Sequence, residues 1–194
     1  MINNREIYQK DPATLKLVNE GVASVNDEKT SQALAVLRYE LETFVCDGQY
    51  EKGIEEANKS LAIMPDFHMG LHALDQAYLK MGKYDDAIET AKKLAGKYPK
   101  WTFELGYIYA MTGRPDEAEK VLNQMNKLKV TPFTAMGQVV VNAALNKKDE
   151  AFRWLAYEPH HMWIAWVPVM PWFKNLHGDP RFDEFVKKLN LPKE

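Results

Sequence analysis

The sequence contains little cysteine, little net charge and no long hydrophobic run. Its single cysteine, Cys46, means that no disulfide can form within the chain. The 25 Lys and Arg residues nearly balance the 27 Asp and Glu residues, and the formal net charge of −2 argues against nucleic acid as the main partner. The most apolar stretch, residues 162–173, is broken by Pro168 and Pro171 and is shorter than a membrane-spanning helix requires.

The amino terminus also lacks the apolar core that follows a basic start in a secretory signal, so we expect no such signal. Together with the scarcity of cysteine, this predicts a cytoplasmic protein. The composition is that of a globular chain, because 46% of its 194 residues are hydrophobic and 27% are charged. Its length indicates one domain or two small ones.

A short motif recurs along the chain at an almost constant spacing. Residues 48–50 (GQY) reappear 34 residues later as residues 82–84 (GKY), and related copies begin at Gly113 and Asn146. A fixed period of this length is typical of repeat architectures. The pairs that share the spacing of 34 are Gly53 and Ala87, Ile54 and Ile88, Ala57 and Ala91, and Pro65 and Pro99.

Each copy has the pattern of two helices joined by a tight turn. In the second copy, Leu71, Leu74 and Tyr78 lie at helical spacing, which predicts an apolar stripe on a first helix. Gly82 follows where that helix should end, because glycine adopts the left-handed cap conformation at low cost. Ala87 then presents a small side chain on a second helix. Neither helix can bury its stripe alone, so we expect neighbouring units to stack into an all-α solenoid.

This pattern, Leu71-x2-Leu74-x3-Tyr78-x3-Gly82-x-Tyr84-x2-Ala87-Ile88, resembles the tetratricopeptide repeat, a helix–turn–helix unit. The resemblance implies an α–α superhelix of about four repeats with capping helices at both ends. We place the repeats at residues 34–67, 68–101, 99–131 and 132–158, with an N-terminal capping region at 1–33 and an aromatic segment with a capping helix at 159–194.

Two features depart from the family pattern. The family has a small residue at position eight of the first helix, and Gly106 fits that rule whereas Leu41, Asp75 and Val139 do not. Residues 138–141 (QVVV) have the β-branched content of a strand. The repeat register favours a helix there.

Helix-start signals stand near both ends of the chain. Asp11-Pro12 predicts an N-terminal helix, and Asp179-Pro180 predicts a last helix. Residues 149–155 (DEAFRWL) followed by this last helix resemble the end of bacterial repeat proteins, in which the array follows a DNA-binding, cyclase, kinase or β-propeller region. The resemblance implies a bacterial protein and a module detached from an effector domain. The residues expected to face inward from the last helix are Phe182, Phe185 and Leu189.

Aromatic residues are concentrated in the last third of the chain. They form either a hydrophobic partner site or, in the interpretation we favour, part of the core around the last repeat. The residues concerned are Trp154, Trp163, Trp166, Trp172 and Phe173.

No pattern in the sequence indicates an active site. Cys46 has no recognisable catalytic signature around it, and the acidic pairs fall at helix starts, where negative charge is favourable. His68 and His72 are four residues apart, and residues 160–162 (HHM) add further soft ligands, but no cysteine cluster or acidic signature accompanies them. We therefore expect no catalytic residue, no cofactor and no metal site.

The resemblance also implies where a partner would bind, because the first helix of each repeat lines the concave groove of the family. The groove would be polar at its N-terminal end and apolar and methionine-rich at the other end, which suits a peptide or helix. The positions carried over are Arg38, Glu42, Met69, His72, Gln76, Lys80, Phe103, Tyr107, Met111, Phe133, Met136 and Val140.

The sequence therefore predicts a non-enzymatic scaffold that binds a protein or peptide in its groove. We expect no nucleic-acid partner and no membrane association. The first alternative is a sensory or regulatory module of a larger bacterial signalling protein. The second is a metal or small-molecule carrier that uses the His and Met positions.

Overall fold

The computed structural model describes residue 44 and residues 47–157, 167–168 and 170–189. Several predictions concern positions outside these ranges. They are the N-terminal helix that starts after Asp11, the groove positions Arg38 and Glu42, the thiol of Cys46, the possible ligands at 160–162, and the side chains of Trp163 and Trp166.

The described residues are helical and contain no β-strand. Residues 138–141 lie inside a helix, so the helical interpretation of this stretch is confirmed. None of the helices within these ranges combines the length and apolar character that would let it cross a membrane. The helices are α1 (Tyr50–Ile63), α2 (His68–Lys80), α3 (Tyr84–Lys97), α4 (Thr102–Met111), α5 (Pro115–Met125), α6 (Pro132–Ala144), α7 (Lys148–Tyr157) and α8 (Pro180–Lys188), with short 3₁₀-helices at Pro99–Trp101 and Pro171–Leu176.

The chain divides into two compact units, Met1–Lys97 and Tyr98–Glu194. In the first unit, α2 packs between α1 and α3. In the second unit, α4 packs against α5 and α6, and α6 packs against α7 and the 3₁₀-helix at Pro171–Leu176. In repeats two, three and four, the first helix thus lies beside the second helix that follows it in the chain.

The recurring motif corresponds to a recurring left-handed turn. Gly48, Gly82 and Gly113 have φ angles of 73°, 73° and 74°, and Asn146 has a φ of 59° at the equivalent place in the fourth copy. The residue after each turn donates its backbone N–H to the carbonyl five residues earlier, which is the hydrogen bond of a Schellman cap. The four bonds are Gln49 to Phe44 (2.8 Å), Lys83 to Tyr78 (2.9 Å), Arg114 to Tyr109 (2.8 Å) and Lys147 to Asn142 (2.8 Å).

The same turn starts the second helix of each repeat. Four residues after the capping bond, a small residue donates its N–H to the first carbonyl of the new helix, as Ala87 does to Lys83 at 3.0 Å. Ala87, Ala118 and Ala151 are fully buried, so these positions let the second helix approach its neighbour closely. The period in the sequence is therefore the period of this cap and of the first buried residue after it.

Two glycines bring α4 close to its neighbours. A Cβ placed on Gly106 would lie 2.9 Å from Cγ1 of Val121 and 2.9 Å from Cγ2 of Val141, and a Cβ on Gly137 would lie 2.9 Å from the Cβ of Phe103. Real Cβ atoms are essentially never this close to another atom. The small residue that the family has at position eight is therefore needed at Gly106, because Val121 and Val141 leave no room for a Cβ.

The start of α6 is held by a reciprocal cap. Thr131 Oγ1 accepts a hydrogen bond from the N–H of Thr134 at 3.2 Å, and Thr134 Oγ1 accepts one from the N–H of Thr131 at 2.9 Å. One turn further on, Gln138 donates from Nε2 to Oδ1 of Asn126 at 2.9 Å. These bonds fix the position of α6, which carries half of the candidate site.

The last helix, α8, begins at Pro180 as predicted. Asp179 caps it by accepting from the N–H of Arg181 at 3.1 Å. The hydrogen bond with the Arg181 side chain lowers the pKa of Asp179 to about 2. Arg181 also donates to Asp149 of α7 at 2.7 Å and lies 4.3 Å from the centre of the Phe152 ring. The inward-facing residues differ from the prediction, since Phe182 is buried whereas Phe185 and Leu189 are only half-buried.

Replacing Gly106 by alanine should destabilise the second unit. The new methyl group must push apart Val121 and Val141, whose branched side chains have little rotamer freedom, and overpacking of this kind costs about 1–3 kcal/mol. The matched control is Gly96→Ala on α3, where a Cβ meets nothing within 4 Å and should be neutral or slightly stabilising. Urea unfolding of both variants measures the difference, and equal stability of the two would contradict the close packing at Gly106.

Candidate functional site

The predicted groove residues of α4 and α6 share one region of the second unit, but most of them are not exposed. The aromatic and aliphatic groups that were expected to contact a partner are instead buried within the chain. Their exposed fractions are 0% for Phe103, 3% for Tyr107, 1% for Met136 and 0% for Val140, while Phe133 is half-buried and Met111 is 53% exposed. Four of these six positions are therefore buried in the folded chain, and partner binding at this face stays a prediction.

The cover is the chain's own C-terminal segment. The 3₁₀-helix at Pro171–Leu176 packs against α6. The ring of Trp172 lies with its centre 5.7 Å from the ring of Phe103 and 6.2 Å from the ring of Tyr107, and both pairs are edge-to-face. Trp172, Phe173 and Leu176 are all buried. The expectation that the late aromatics bury against the last repeat is confirmed for Trp172 and Phe173.

A cluster of five aromatic rings results. Trp101 from the 3₁₀-helix before α4 lies 5.8 Å from Phe103 and 5.0 Å from Phe133, and Phe103 lies 5.7 Å from Phe133. The first of these pairs is stacked and the other two are edge-to-face, and aromatic pairs of both kinds add about 0.5–1.5 kcal/mol beyond the burial of the rings. Two helices and a short 3₁₀-turn supply four of the rings, and a separate segment supplies Trp172.

A polar contact fixes the far end of the covering segment. Asn175 donates from Nδ2 to the carbonyl of Ala143 at 3.0 Å and to that of Ala144 at 3.4 Å. These carbonyls belong to the last turn of α6, and that of Ala143 also accepts from the backbone N–H of Asn146 at 3.0 Å. The segment is therefore held by a buried ring at Trp172 and by an exposed amide three residues later.

In the first unit, the predicted groove positions on α2 differ in their exposure to solvent. Met69 and Gln76 are buried, His72 is half-buried and Lys80 is exposed. Gln76 donates from Nε2 to Oδ1 of Asp75 at 3.0 Å. Met69 and Gln76 are therefore not exposed on the surface where the groove was expected.

Sequence reasoning missed Trp172 and Asn175 as residues that contact the groove positions. A signal was present in the sequence, because residues 170–173 (MPWF) form an apolar stretch without any charged residue. That signal indicates burial of the segment, but it does not say which helices the segment contacts.

The cluster contains one titratable group with a shifted pKa. Burial raises the pKa of Tyr107 to about 12, because the phenolate is poorly solvated beside the surrounding rings. Tyr107 is therefore neutral at physiological pH. The five rings form an apolar arrangement that is suited to apolar recognition.

The raised pKa of Tyr107 should make the fold sensitive to alkaline pH. Between pH 10 and pH 12 the unfolded chain releases the Tyr107 proton while the folded chain keeps it, so the free energy of unfolding should fall as the pH rises through this window. Tyr107→Phe retains the ring and removes the ionisable group. Urea unfolding at pH 8 and pH 11 should show a smaller alkaline loss for this variant, and parallel losses in both proteins would contradict the assignment.

Comparison with known proteins agrees with the repeat geometry. Residues 74–126 match a family model described as tetratricopeptide repeat. The matched range runs from within α2 to the end of α5 and contains two of the left-handed turns. No curated protein and no solved structure matches the chain. The family match therefore identifies tetratricopeptide repeats at residues 74–126, and the helix–turn–helix units on either side of this range have the same cap geometry.

Proposed function

We propose that this chain is a non-enzymatic binding module that holds a segment of a partner protein on the shared face of α4 and α6. Tetratricopeptide repeats generally mediate binding between proteins. The single observation that carries the more specific proposal is the docking of Trp172 beside Phe103 and Tyr107. The face already accommodates an aromatic segment, here one from its own chain.

The chemistry of the face supports this proposal. Buried aromatic side chains commonly provide most of the energy of a protein interface. Phe103 and Tyr107 lie one turn apart on α4, and Phe133 comes from the facing part of α6. Met111, one turn beyond Tyr107, is exposed and offers a flexible, polarizable first contact.

A partner segment would compete with the covering segment for the same contacts. Burial of Trp172, Phe173 and Leu176 contributes about 1.5–3 kcal/mol for each side chain. Ordering the backbone opposes docking by about 1–2 kcal/mol per residue. Because this entropic cost offsets much of the gain from burial, a partner segment with comparable contacts can displace the covering segment.

Removing the Trp172 side chain should therefore increase partner binding. Trp172→Ala leaves a vacant space beside Phe103 and Tyr107, so a partner no longer competes with that ring. Trp154→Ala is the matched control, because Trp154 lies on α7 and meets the ring of Tyr157 edge-to-face. Quantitative capture from the native organism, followed by titration of the purified partner, should show binding about tenfold or more tighter for Trp172→Ala and unchanged for Trp154→Ala.

A second substitution tests the location of the surface without disturbing the core. Met111→Glu places a charge on an exposed position beside the face, so it should weaken the same partner while the melting temperature stays unchanged. A partner that binds all of these variants equally well would show that recognition takes place elsewhere on the chain.

A further inference from the structure

We propose that the partner segment is a short, proline-led turn with a tryptophan or similar aromatic residue, followed three residues later by a hydrogen-bond donor. This inference rests on the proposed function and specifies the chemistry of what is bound. We infer the chemistry of the partner from the segment of this chain that packs on the face, residues 170–176.

The face recognises side chains and offers few backbone groups. α4 and α6 are helices, so their N–H and C=O groups are largely used within each helix, and there is no sheet edge to which a partner strand could be added. The bound segment forms backbone hydrogen bonds within itself. Phe173 donates its N–H to the carbonyl of Met170 at 3.2 Å, and His177 donates to that of Lys174 at 3.1 Å. A compact turn satisfies these requirements, whereas an extended strand does not.

Pro171 prepares the segment for this shape. It stands at the first position of the 3₁₀-helix, where the missing N–H is not needed and the fixed φ angle suits the turn. A partner with proline at the same position loses less conformational entropy on binding. Proline directly before the aromatic residue is therefore the first feature expected of the partner.

The aromatic requirement follows from the ring geometry. Trp172 meets Phe103 at an interplanar angle of 80° and Tyr107 at 65°, so ring edges face ring planes in both contacts. An aliphatic side chain would fill the volume without these electrostatically favoured contacts. Trp172 is also buried, so a smaller side chain would leave a cavity among the rings.

The donor requirement follows from the end of α6. The carbonyls of Ala143 and Ala144, which accept from Asn175, lie at the C-terminus of the helix, where the helix dipole is negative. An amide or a cationic side chain at that place is favourable, and a carboxylate is repelled. The partner should therefore carry Asn, Gln, Lys or Arg three residues after its aromatic residue, and neither Asp nor Glu.

A synthetic peptide with the sequence of residues 168–177, blocked at both ends, is the probe, and full-length Trp172→Ala protein is the receptor. Isothermal titration should show binding of this peptide and of a peptide with Lys at the Asn175 position. Peptides with Ala at the Trp172 position or Asp at the Asn175 position should bind at least tenfold more weakly. Wild-type protein should also bind the native peptide at least tenfold more weakly, because its own segment competes.

Equal affinities for the native, Trp-to-Ala and Asn-to-Asp peptides would overturn the inference. If Trp172→Ala does not fold, Asn175→Asp is the alternative receptor, because Asn175 is exposed and its replacement both removes the donor and places a repelled carboxylate at the end of α6, which weakens docking of the chain's own segment. No peptide binding to a folded receptor, together with a partner still weakened by Met111→Glu, refutes the turn chemistry and leaves the binding module intact. A partner that is insensitive to Met111→Glu and Trp172→Ala refutes the proposed function itself.

Discussion

The close approach of α4 to α6 is the constraint on which the candidate site depends. Gly137 on α6 leaves just enough room for the side chain of Phe103, and Gly106 on α4 leaves room for Val141. With any larger side chain at either glycine the two helices would separate, and the rings of Phe103 and Phe133 could not meet at 5.7 Å. The aromatic surface that receives Trp172 exists because two positions carry no Cβ.

Much of the fold follows from the sequence because its determinants are local. The left-handed turn needs a residue that tolerates positive φ, and the chain places glycine at 48, 82 and 113 and asparagine, the next most tolerant residue, at 146. Ala87 and its counterparts follow each turn at a fixed distance. Because each turn and helix start depends on residues within about five positions along the chain, these elements can be predicted from the sequence alone.

The candidate site was less predictable because it depends on contacts between distant parts of the chain. Helical periodicity correctly brings Phe103 and Tyr107 to one face of α4, but it does not say what covers that face. The cover, Trp172, lies in a segment whose turn is set by Pro171, while its docking depends on Asn175 and the end of α6. The family pattern predicts an open groove, but in this chain the apolar 3₁₀-helix at Pro171–Leu176 packs on α6 and covers that face.

On the proposed function, a face that is occupied by its own chain would bind a partner differently from an open face. Covering Phe103 and Tyr107 removes an apolar patch that would otherwise favour aggregation. It also lowers the apparent affinity for a partner by the fraction of molecules in which the segment is displaced. A net docking free energy of about 1.4 kcal/mol for the segment weakens partner binding roughly tenfold. Selectivity improves at the same time, since only a segment whose contacts match those of Trp172 and Asn175 gains enough to compete.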